Sequence, residues 1–213
     1  LLLAALAGAQ SQQEALARLK AGVAALEKGD CASAARLLSA LPAQLPLIAD
    51  YAAFFLGQAE AQNKRHAAVA AALEPVWRSS PVSPLAGRAA AMAARSLLEI
   101  QDYQGALNVL GRAPAAQLPQ PQADLLMARA QEGLGDPVAA AARYQSIYYG
   151  FPNADEAEDA GKALSRLERE LGDRYPPVLP QARLERARLL MEGRQAATAR
   201  AELKAMVPLL AGL

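Results

Sequence analysis

Few residues in this sequence have the chemistry of a catalytic centre. The chain contains one histidine, His66, and one cysteine, Cys31. A Ser-His-Asp or Cys-His arrangement must therefore use His66, and neither an internal disulfide nor a cysteine-based metal site can form. No nucleophile lies near His66 in the sequence, so we favour a solvated turn residue at a helix start over a catalytic base. For Cys31 we favour a small, buried or half-buried turn residue over a reactive thiol.

A run of carboxylates invites a metal or acid-base interpretation. Asp155, Glu156, Glu158 and Asp159 fall in the first turns of a predicted helix, where carboxylates stabilise the positive end of the helix dipole. The run lacks the ligand spacing of a calcium-binding loop. The Gly-Leu-Gly at 133–135 lacks the lysine and third glycine of a phosphate-binding loop. We therefore predict no catalytic residue, no metal site and no cofactor in this chain.

Three arginines are the candidate binding residues. In the repeat phasing described below, Arg88, Arg95 and Arg129 extend from the first helices of helix pairs toward the concave side of a solenoid. Arg95 and Arg129 occupy equivalent positions in successive repeats. Concave solenoid faces bind partners, and arginine suits carboxylate or phosphate recognition. The alternative is that all three are ordinary solvated arginines.

The aromatic residues cluster in one segment. Tyr144, Tyr148 and Phe151 are spaced by four and three residues, so they share one face of a predicted helix, with Tyr149 beside them. We favour packing against the next helix pair, and the alternative is a platform for stacking sugars. Trp77 is predicted to pack between repeats.

Composition predicts an all-α protein with thin layers. The chain has 213 residues, of which 53% are hydrophobic but only 5% aromatic, and alanine makes up the difference. Alanine favours helices and lets them approach closely, and no segment alternates polar and apolar residues over the length of a strand. The net charge of +1 argues against nucleic-acid binding, which requires a basic surface.

The N-terminal residues are typical of an exported protein. An apolar stretch over 1–6 precedes Ala7-Gly8-Ala9 and then a polar segment, so we predict that 1–10 are the remnant of a secretory signal. The alternative is an apolar first turn of a helix. No later segment is long and apolar enough to cross a membrane, so no integral membrane segment is predicted. The last residues, 211–213, lack the polar cap that closes a solenoid, so we expect a larger parent protein.

A repeat of about 34 residues predicts a tetratricopeptide-like α-solenoid, a right-handed superhelix of antiparallel helix pairs. A turn residue is followed five positions later by an alanine in four segments, and one interval between these alanines is lengthened by a short insertion. The alanines are predicted to lie where the two helices of a pair cross: Ala34, Ala68, Ala106 and Ala140. The predicted domains are the repeats at 11–172 and a further helix pair of the same solenoid at 173–213.

Helix boundaries are predicted from capping residues. Ser83-Pro84 predicts a helix start with proline at the first position. Asn153 with Glu156 predicts a variant capping box that opens a helix over 154–171. The last helix pair, 180–192 and 195–211, is predicted to be out of phase, with Thr198 rather than Ala199 at the crossing position.

Several of these segments resemble bacterial soluble lytic transglycosylases. The run AAAARYQSIYYGFP at 139–152, followed by Asp155-Glu156-Ala157, is similar to the stretch Y-x-x-I/V-Y-Y-E-F/Y-P-x-S-x-E-A that ends their tetratricopeptide-like region. Ala49-Asp50-Tyr51 with Phe54-Phe55-Leu56-Gly57 is similar to their L-A-D-Y…Y-L-G helix. Pro81-Val82-Ser83-Pro84-Leu85 resembles their P-x-S-P-L segment, and Gly150 replaces their usual glutamate.

The resemblance implies a periplasmic helical superhelix ahead of a lysozyme-like domain that cleaves peptidoglycan with one glutamate, within a Glu-Ser dipeptide. This sequence contains no Glu-Ser dipeptide, so the catalytic glutamate is carried over to no position. The expected function is a non-catalytic scaffold that positions the enzyme on peptidoglycan or on an envelope protein. The alternatives are a stand-alone periplasmic adaptor in envelope assembly and, third, a free-standing hydrolase.

Overall fold

The computed structural model describes the backbone of residues 2–210 and the side chains of residues 10–207, and no strand occurs among them. The fold is all-α. Of the predicted signal remnant at 1–10, all side chains except that of Gln10 lie outside the described residues, as does the chain end at 211–213. The helices are α1 Leu2–Glu27, α2 Cys31–Leu38, α3 Leu41–Gln44, α4 Ala49–Gln62, α5 His66–Trp77, α6 Ala86–Glu99, α7 Tyr103–Arg112, α8 Gln122–Gly133, α9 Pro137–Gly150, α10 Glu156–Leu171, α11 Pro180–Glu192 and α12 Ala196–Leu210.

The chain divides into two compact units. Unit 1 extends to Pro119 and unit 2 begins at Gln120. In unit 1, α1 packs on α2, α4 on α5, and α6 on α7; in unit 2, α8 packs on α9, α9 on α10, and α11 on α12. Each unit is therefore built from helical hairpins that neighbour one another in sequence. The boundaries predicted from the repeats, at 11–172 and 173–213, stay a prediction.

The same turn connects the helices of the hairpins α1–α2, α4–α5, α6–α7, α8–α9 and α11–α12. One residue of each turn has a positive φ, and the backbone N–H of the next residue donates to the carbonyl five positions earlier, which closes the helix end. Asp30, Asp102 and Asp136 then cap the second helix by accepting a hydrogen bond from a backbone N–H three positions later. The left-handed residues are Gly29 (φ 78°), Lys64 (58°), Gln101 (61°), Gly135 (78°) and Arg194 (62°).

These turns correct the predicted phase at two positions. The left-handed residue of the second turn is Lys64, so the residue five positions later is Val69, which is fully buried, whereas Ala68 is half-buried. In the last hairpin Arg194 is left-handed and places Ala199 in the buried position, while Thr198 is exposed. The prediction that Thr198 occupies the crossing position was wrong. Ala34, Ala106 and Ala140 are fully buried, as a crossing residue must be.

A small residue and a large residue recur at a constant sequence separation in four hairpins. The small residue lies on the first helix and the large one on the second, and all are buried. A Cβ added to Gly22 or Gly57 would collide with the large partner, so close helix approach requires the small residue. The pairs are Gly22 with Leu38, Gly57 with Leu73, Ala94 with Leu110, and Ala128 with Tyr144. The architecture is therefore repeat-like.

Two predicted helix starts differ in detail. The hydroxyl oxygen of Ser83 accepts a hydrogen bond from the N–H of Leu85 (3.1 Å), but α6 begins at Ala86, because Pro84 and Leu85 form a turn instead of the first helical residues. Asn153 does not cap α10. Its side chain instead donates to the carbonyl of Leu189 (2.9 Å) and accepts from Gln195 (3.0 Å), so it holds the α11–α12 turn.

Among the described residues, no single helix is both long and apolar enough to cross a membrane. The stretches Cys31–Gln44 and Pro46–Gln62 reach that threshold only together, with a 111° bend between them.

Candidate functional site

One groove in unit 1 contains a predicted binding residue. It has a volume of about 360 Å³ and lies between the C-terminal halves of α4 and α6, with the start of α5 at one end. We call it the α4–α6 groove. Its lining residues are Gln58, Ala61, Gln62, His66, Met92, Arg95, Ser96 and Glu99.

Two stripes of side chains form this face of unit 1. On α4 a set of residues that are not buried recurs with spacings of four, three and four, and the same spacing recurs on α6. Spacings of three and four place side chains on one side of a helix. The α4 stripe is Tyr51, Phe55, Gln58 and Gln62, and the α6 stripe is Arg88, Met92, Arg95 and Glu99.

The structure separates the three predicted arginines by their surroundings. Arg88 and Arg95 lie on the same face of α6, where the Arg88 guanidinium stands 5.1 Å from the centre of the Phe54 ring and Arg95 lines the groove. Arg129 lies in unit 2, where it forms a 2.8 Å ion pair with Asp159. Arg129 is therefore charge-neutralised, whereas Arg95 has no carboxylate within ion-pair distance among residues 10–207.

His66 is less exposed than a solvated turn residue would be. It is half-buried as the first residue of α5, and its Nδ1 atom is buried without a hydrogen-bond partner among the side chains of residues 10–207. A catalytic triad needs a third group to hold the second ring nitrogen of the base. Because Nδ1 is unpartnered, His66 does not form that arrangement with Ser96, although both line the groove.

Sequence reasoning missed Ser96, Gln58 and Gln62 as groove residues. Ser96 is only 3% exposed, which is unusual for a serine. Its groove neighbours on α4 and α5 belong to the preceding hairpin, and only the repeat phasing could have aligned them with α6. Cys31 agrees with its prediction, since it is half-buried and its thiol donates to Gln62 Oε1 at 2.9 Å.

Two carboxylates of the acidic run in unit 2, Glu158 and Asp159, pair with neighbouring cations. Glu158 pairs with Lys162 at 2.6 Å, and the hydrogen bond from Lys162 lowers the pKa of the Glu158 carboxyl. Asp159 pairs with Arg129, as described above. Over the part of the chain with described side chains, no group of three histidine, cysteine or acidic residues is arranged to hold a metal ion.

The aromatic cluster of unit 2 is largely packing. Tyr144 is buried, and desolvation together with the Glu132 carboxylate, which accepts its hydroxyl at 3.1 Å, raises the tyrosine pKa. The centre of the Tyr148 ring lies 3.5 Å from the guanidinium carbon of buried Arg186. Phe151 differs from the prediction: it is 39% exposed, because α9 has ended before it.

Tyr149 lines a second, more apolar groove in unit 2. This groove has a volume of about 430 Å³ and lies between α9 and α11, with the extended segment at Pro177, Val178 and Leu179 as one wall. Burial raises the pKa of Tyr149. The lining carries a single charged side chain, Glu185, so this groove offers little that would orient a polar ligand.

No protein-family model, curated protein or solved structure matches this chain. The residues and geometry above are therefore the basis for any functional statement.

Proposed function

We propose that this chain is a tetratricopeptide-like solenoid that serves as the non-catalytic scaffold of an exported, peptidoglycan-cleaving lytic transglycosylase. In this role it would position the enzyme in the periplasm on peptidoglycan or on an envelope protein. The observation that carries the proposal is the recurring hairpin: a shared turn, a buried crossing residue five positions later, and a small–large pair between the two helices. Stacked hairpins of this kind build extended binding surfaces.

Two of the segments that resemble the transglycosylases meet in unit 1. The hydroxyl of Ser83, within Pro81-Val82-Ser83-Pro84-Leu85, donates to the carboxylate of Asp50 at 2.6 Å. Asp50 belongs to the second resembling segment, at the start of α4. A hydrogen bond to a charged group contributes about 1.5–3 kcal/mol. This contact supports the proposal, because it gives two of the shared residues a common structural role.

Co-sedimentation with purified peptidoglycan sacculi tests the proposed role. We expect the chain to sediment with sacculi, and the charge reversals Arg88→Glu and Arg95→Glu together to reduce the bound fraction. The reversal Arg112→Glu, on α7 outside the α4–α6 groove, is the matched control. Binding that is absent, or equally lost in the control, would contradict a peptidoglycan contact at this face.

A stand-alone periplasmic adaptor is the second candidate, favoured by the guanidinium of Arg95, which pairs with no carboxylate among the described side chains and lines a groove within one unit. The gene sequence beyond Leu213 separates the two: a following domain with a Glu-Ser dipeptide supports the scaffold, and a stop codon supports the adaptor. A muramidase assay addresses the hydrolase alternative. Activity that a single acidic substitution in this chain abolishes would overturn both proposals.

A further inference from the structure

The turn between α4 and α5 departs from the other hairpin turns in the residue that accepts its closing hydrogen bond. In each of these turns, the residue after the left-handed position donates its backbone N–H to a carbonyl near the end of the first helix. In the α4–α5 hairpin the accepting residue is Glu60. In the other four hairpins it is neutral: Ala25, Leu97, Gln131 and Leu190. The hairpin itself therefore requires no charge at this position.

The residue that donates this hydrogen bond differs as well. It is an aspartate in three of the other hairpins, and there its side chain caps the second helix. In the α4–α5 turn it is Arg65, and α5 begins without a side-chain cap. The missing cap lowers the stability of α5, and a buried carboxylate is costly unless it is well hydrogen-bonded. Two departures from stability in one turn are typical of a functional site.

The Glu60 carboxylate is buried and incompletely satisfied. Glu60 is only 8% exposed. The Arg65 Nε atom lies 3.4 Å from Glu60 Oε2, yet this oxygen accepts no hydrogen bond from the described residues. The Arg65 side chain is 65% exposed, so its rotamer can change rapidly. The carboxylate can therefore exchange Arg65 for a better hydrogen-bond donor, such as an ammonium group.

Glu60 and Arg65 line a groove between α2 and the α4–α5 turn, which we call the α2–α4 groove. Its volume of about 630 Å³ is in the range of small-molecule sites. The groove lies within unit 1 and shares no lining residue with the α4–α6 groove. Its other lining residues are Ala32, Ala35, Arg36, Ser39 and Asn63.

The other polar side chains of the α2–α4 groove add a second cation and a second acceptor. Arg36 donates to the Ser33 hydroxyl at 2.9 Å and pairs with no carboxylate among residues 10–207. Asn63 donates through Nδ2 to the carbonyl of Cys31 at 2.8 Å, which leaves its amide oxygen as an acceptor. The groove therefore offers two guanidinium groups to an anion, and a carboxylate with an amide oxygen to a cation.

We infer that the α2–α4 groove binds an α-amino acid head group, which carries an ammonium and a carboxylate on one carbon. The ammonium replaces Arg65 on the Glu60 carboxylate, beside the amide oxygen of Asn63. The ligand carboxylate lies on Arg36 and on the displaced guanidinium of Arg65. Either end of a peptide carries only one of these two charges, so a peptide terminus matches the groove less well. The inference goes beyond the scaffold role and does not rest on it.

Isothermal titration calorimetry with the full chain tests the required pair of charges. The common L-amino acids are titrated first, and the tightest binder is then compared with its N-acetyl form, which lacks the ammonium, and its amide, which lacks the carboxylate. We expect each blocked form to bind at least about tenfold more weakly than the parent amino acid. Absence of binding by every amino acid, or equal affinity for either blocked form, would overturn the inference.

Two variants return the turn to the pattern of the other hairpins. Glu60→Leu copies Leu97, and Arg65→Asp copies Asp102. Both should keep or raise the melting temperature while weakening amino-acid binding at least about tenfold, because each removes a charge that the ligand needs. A merely structural ion pair would give the reverse, a lower melting temperature with unchanged binding. Unchanged binding in both variants would therefore overturn the inference.

Glu60→Gln keeps the size of the side chain and removes only its charge, so it provides the test if Glu60→Leu unfolds. It should also weaken binding at least about tenfold, and full binding by this variant would contradict a contact with the ammonium. Arg112→Gln, an exposed arginine on α7 outside the groove, is the matched control and should leave binding unchanged. Sacculus binding that persists in Glu60→Gln would leave the scaffold proposal intact.

The same head group also stands at the side-chain end of a diamino acid that is built into a larger molecule. Nε-acetyl-lysine, which carries the head group on a long neutral stem, distinguishes this source from free amino acids. Binding tighter than that of the shorter amino acids would assign head groups on larger molecules, and weaker binding would assign free, small amino acids. Both results retain the charges on Glu60, Arg36 and Arg65 as the recognition groups.

Discussion

At the scale of single residues, the left-handed turn positions determine where each hairpin places its buried residues. Of the five left-handed positions in the hairpin turns, glycine occupies two. The other three are Lys64, Gln101 and Arg194. A side chain in the left-handed region costs about 1–2 kcal/mol, so those three turns are held by their surroundings. The residue scale is also where sequence reasoning failed, because no glycine marked the left-handed position at Lys64 or Arg194.

A pair of glycine substitutions in unit 1 should have opposite effects. Gly29→Ala should lower the free energy of unfolding by about 1 kcal/mol, because φ at this position is positive. Gly111→Ala should raise it by about 0.5–1 kcal/mol, since Gly111 is within α7 and an added Cβ meets no atom within 4 Å. Urea unfolding followed by circular dichroism measures both. An unchanged or raised stability of Gly29→Ala would show that the conformation of Gly29 carries no cost, and a lowered stability of Gly111→Ala would contradict the argument for the α7 position.

At the scale of helices, the hairpin is the unit that the sequence predicted best. The existence of the helix pairs and the buried roles of Ala34, Ala106 and Ala140 agree with spacing and local propensity. The paired stripes of α4 and α6 could not be derived in the same way. Their alignment depends on the loop between α5 and α6. No local pattern in the sequence shows which α4 residues this loop places beside which α6 residues.

The corrected phase of the last hairpin has a direct test. Ala199→Leu should destabilise unit 2 by about 1–3 kcal/mol, because the site is fully buried and cannot accept a larger side chain. Thr198→Leu, the neighbouring exposed site, should change stability by less than about 0.5 kcal/mol. Thermal melts of the two variants provide the comparison, and the reverse order would restore the phase that the sequence alone suggested.

At the scale of the whole molecule, unit 2 carries a set of tyrosines whose ionisation depends on folding. Burial raises the pKa of Tyr144, Tyr148 and Tyr149 above the ordinary tyrosine value of 10.0. In unfolded chains these hydroxyls lose their protons from about pH 10 upward, while in the folded protein they retain them. The folded state then binds more protons, so stability that is complete below about pH 10 decreases as the pH rises.

Alkaline unfolding should reveal this dependence. Between about pH 9 and about pH 11, the free energy of unfolding of unit 2 should fall, and Tyr144→Phe should make the fall less steep. Tyr51→Phe, an exposed tyrosine in unit 1, is the matched control and should leave the slope for unit 2 unchanged. Tyr144→Phe also loses the hydrogen bond to Glu132, so the slope, not the stability at neutral pH, is the relevant quantity. An identical slope in both variants would exclude Tyr144 as its source.

The small–large pairs restrict how this sequence can diverge. A methyl group on Gly57 would collide with the Leu73 side chain, and shortening Leu73 alone would leave a void in a fully buried site. Either substitution alone lowers stability. The two together move volume from position 73 to position 57, so the contact between the helices stays filled. Related sequences should therefore vary at these positions in correlated steps, with the paired residue on the other helix of the hairpin compensating each substitution.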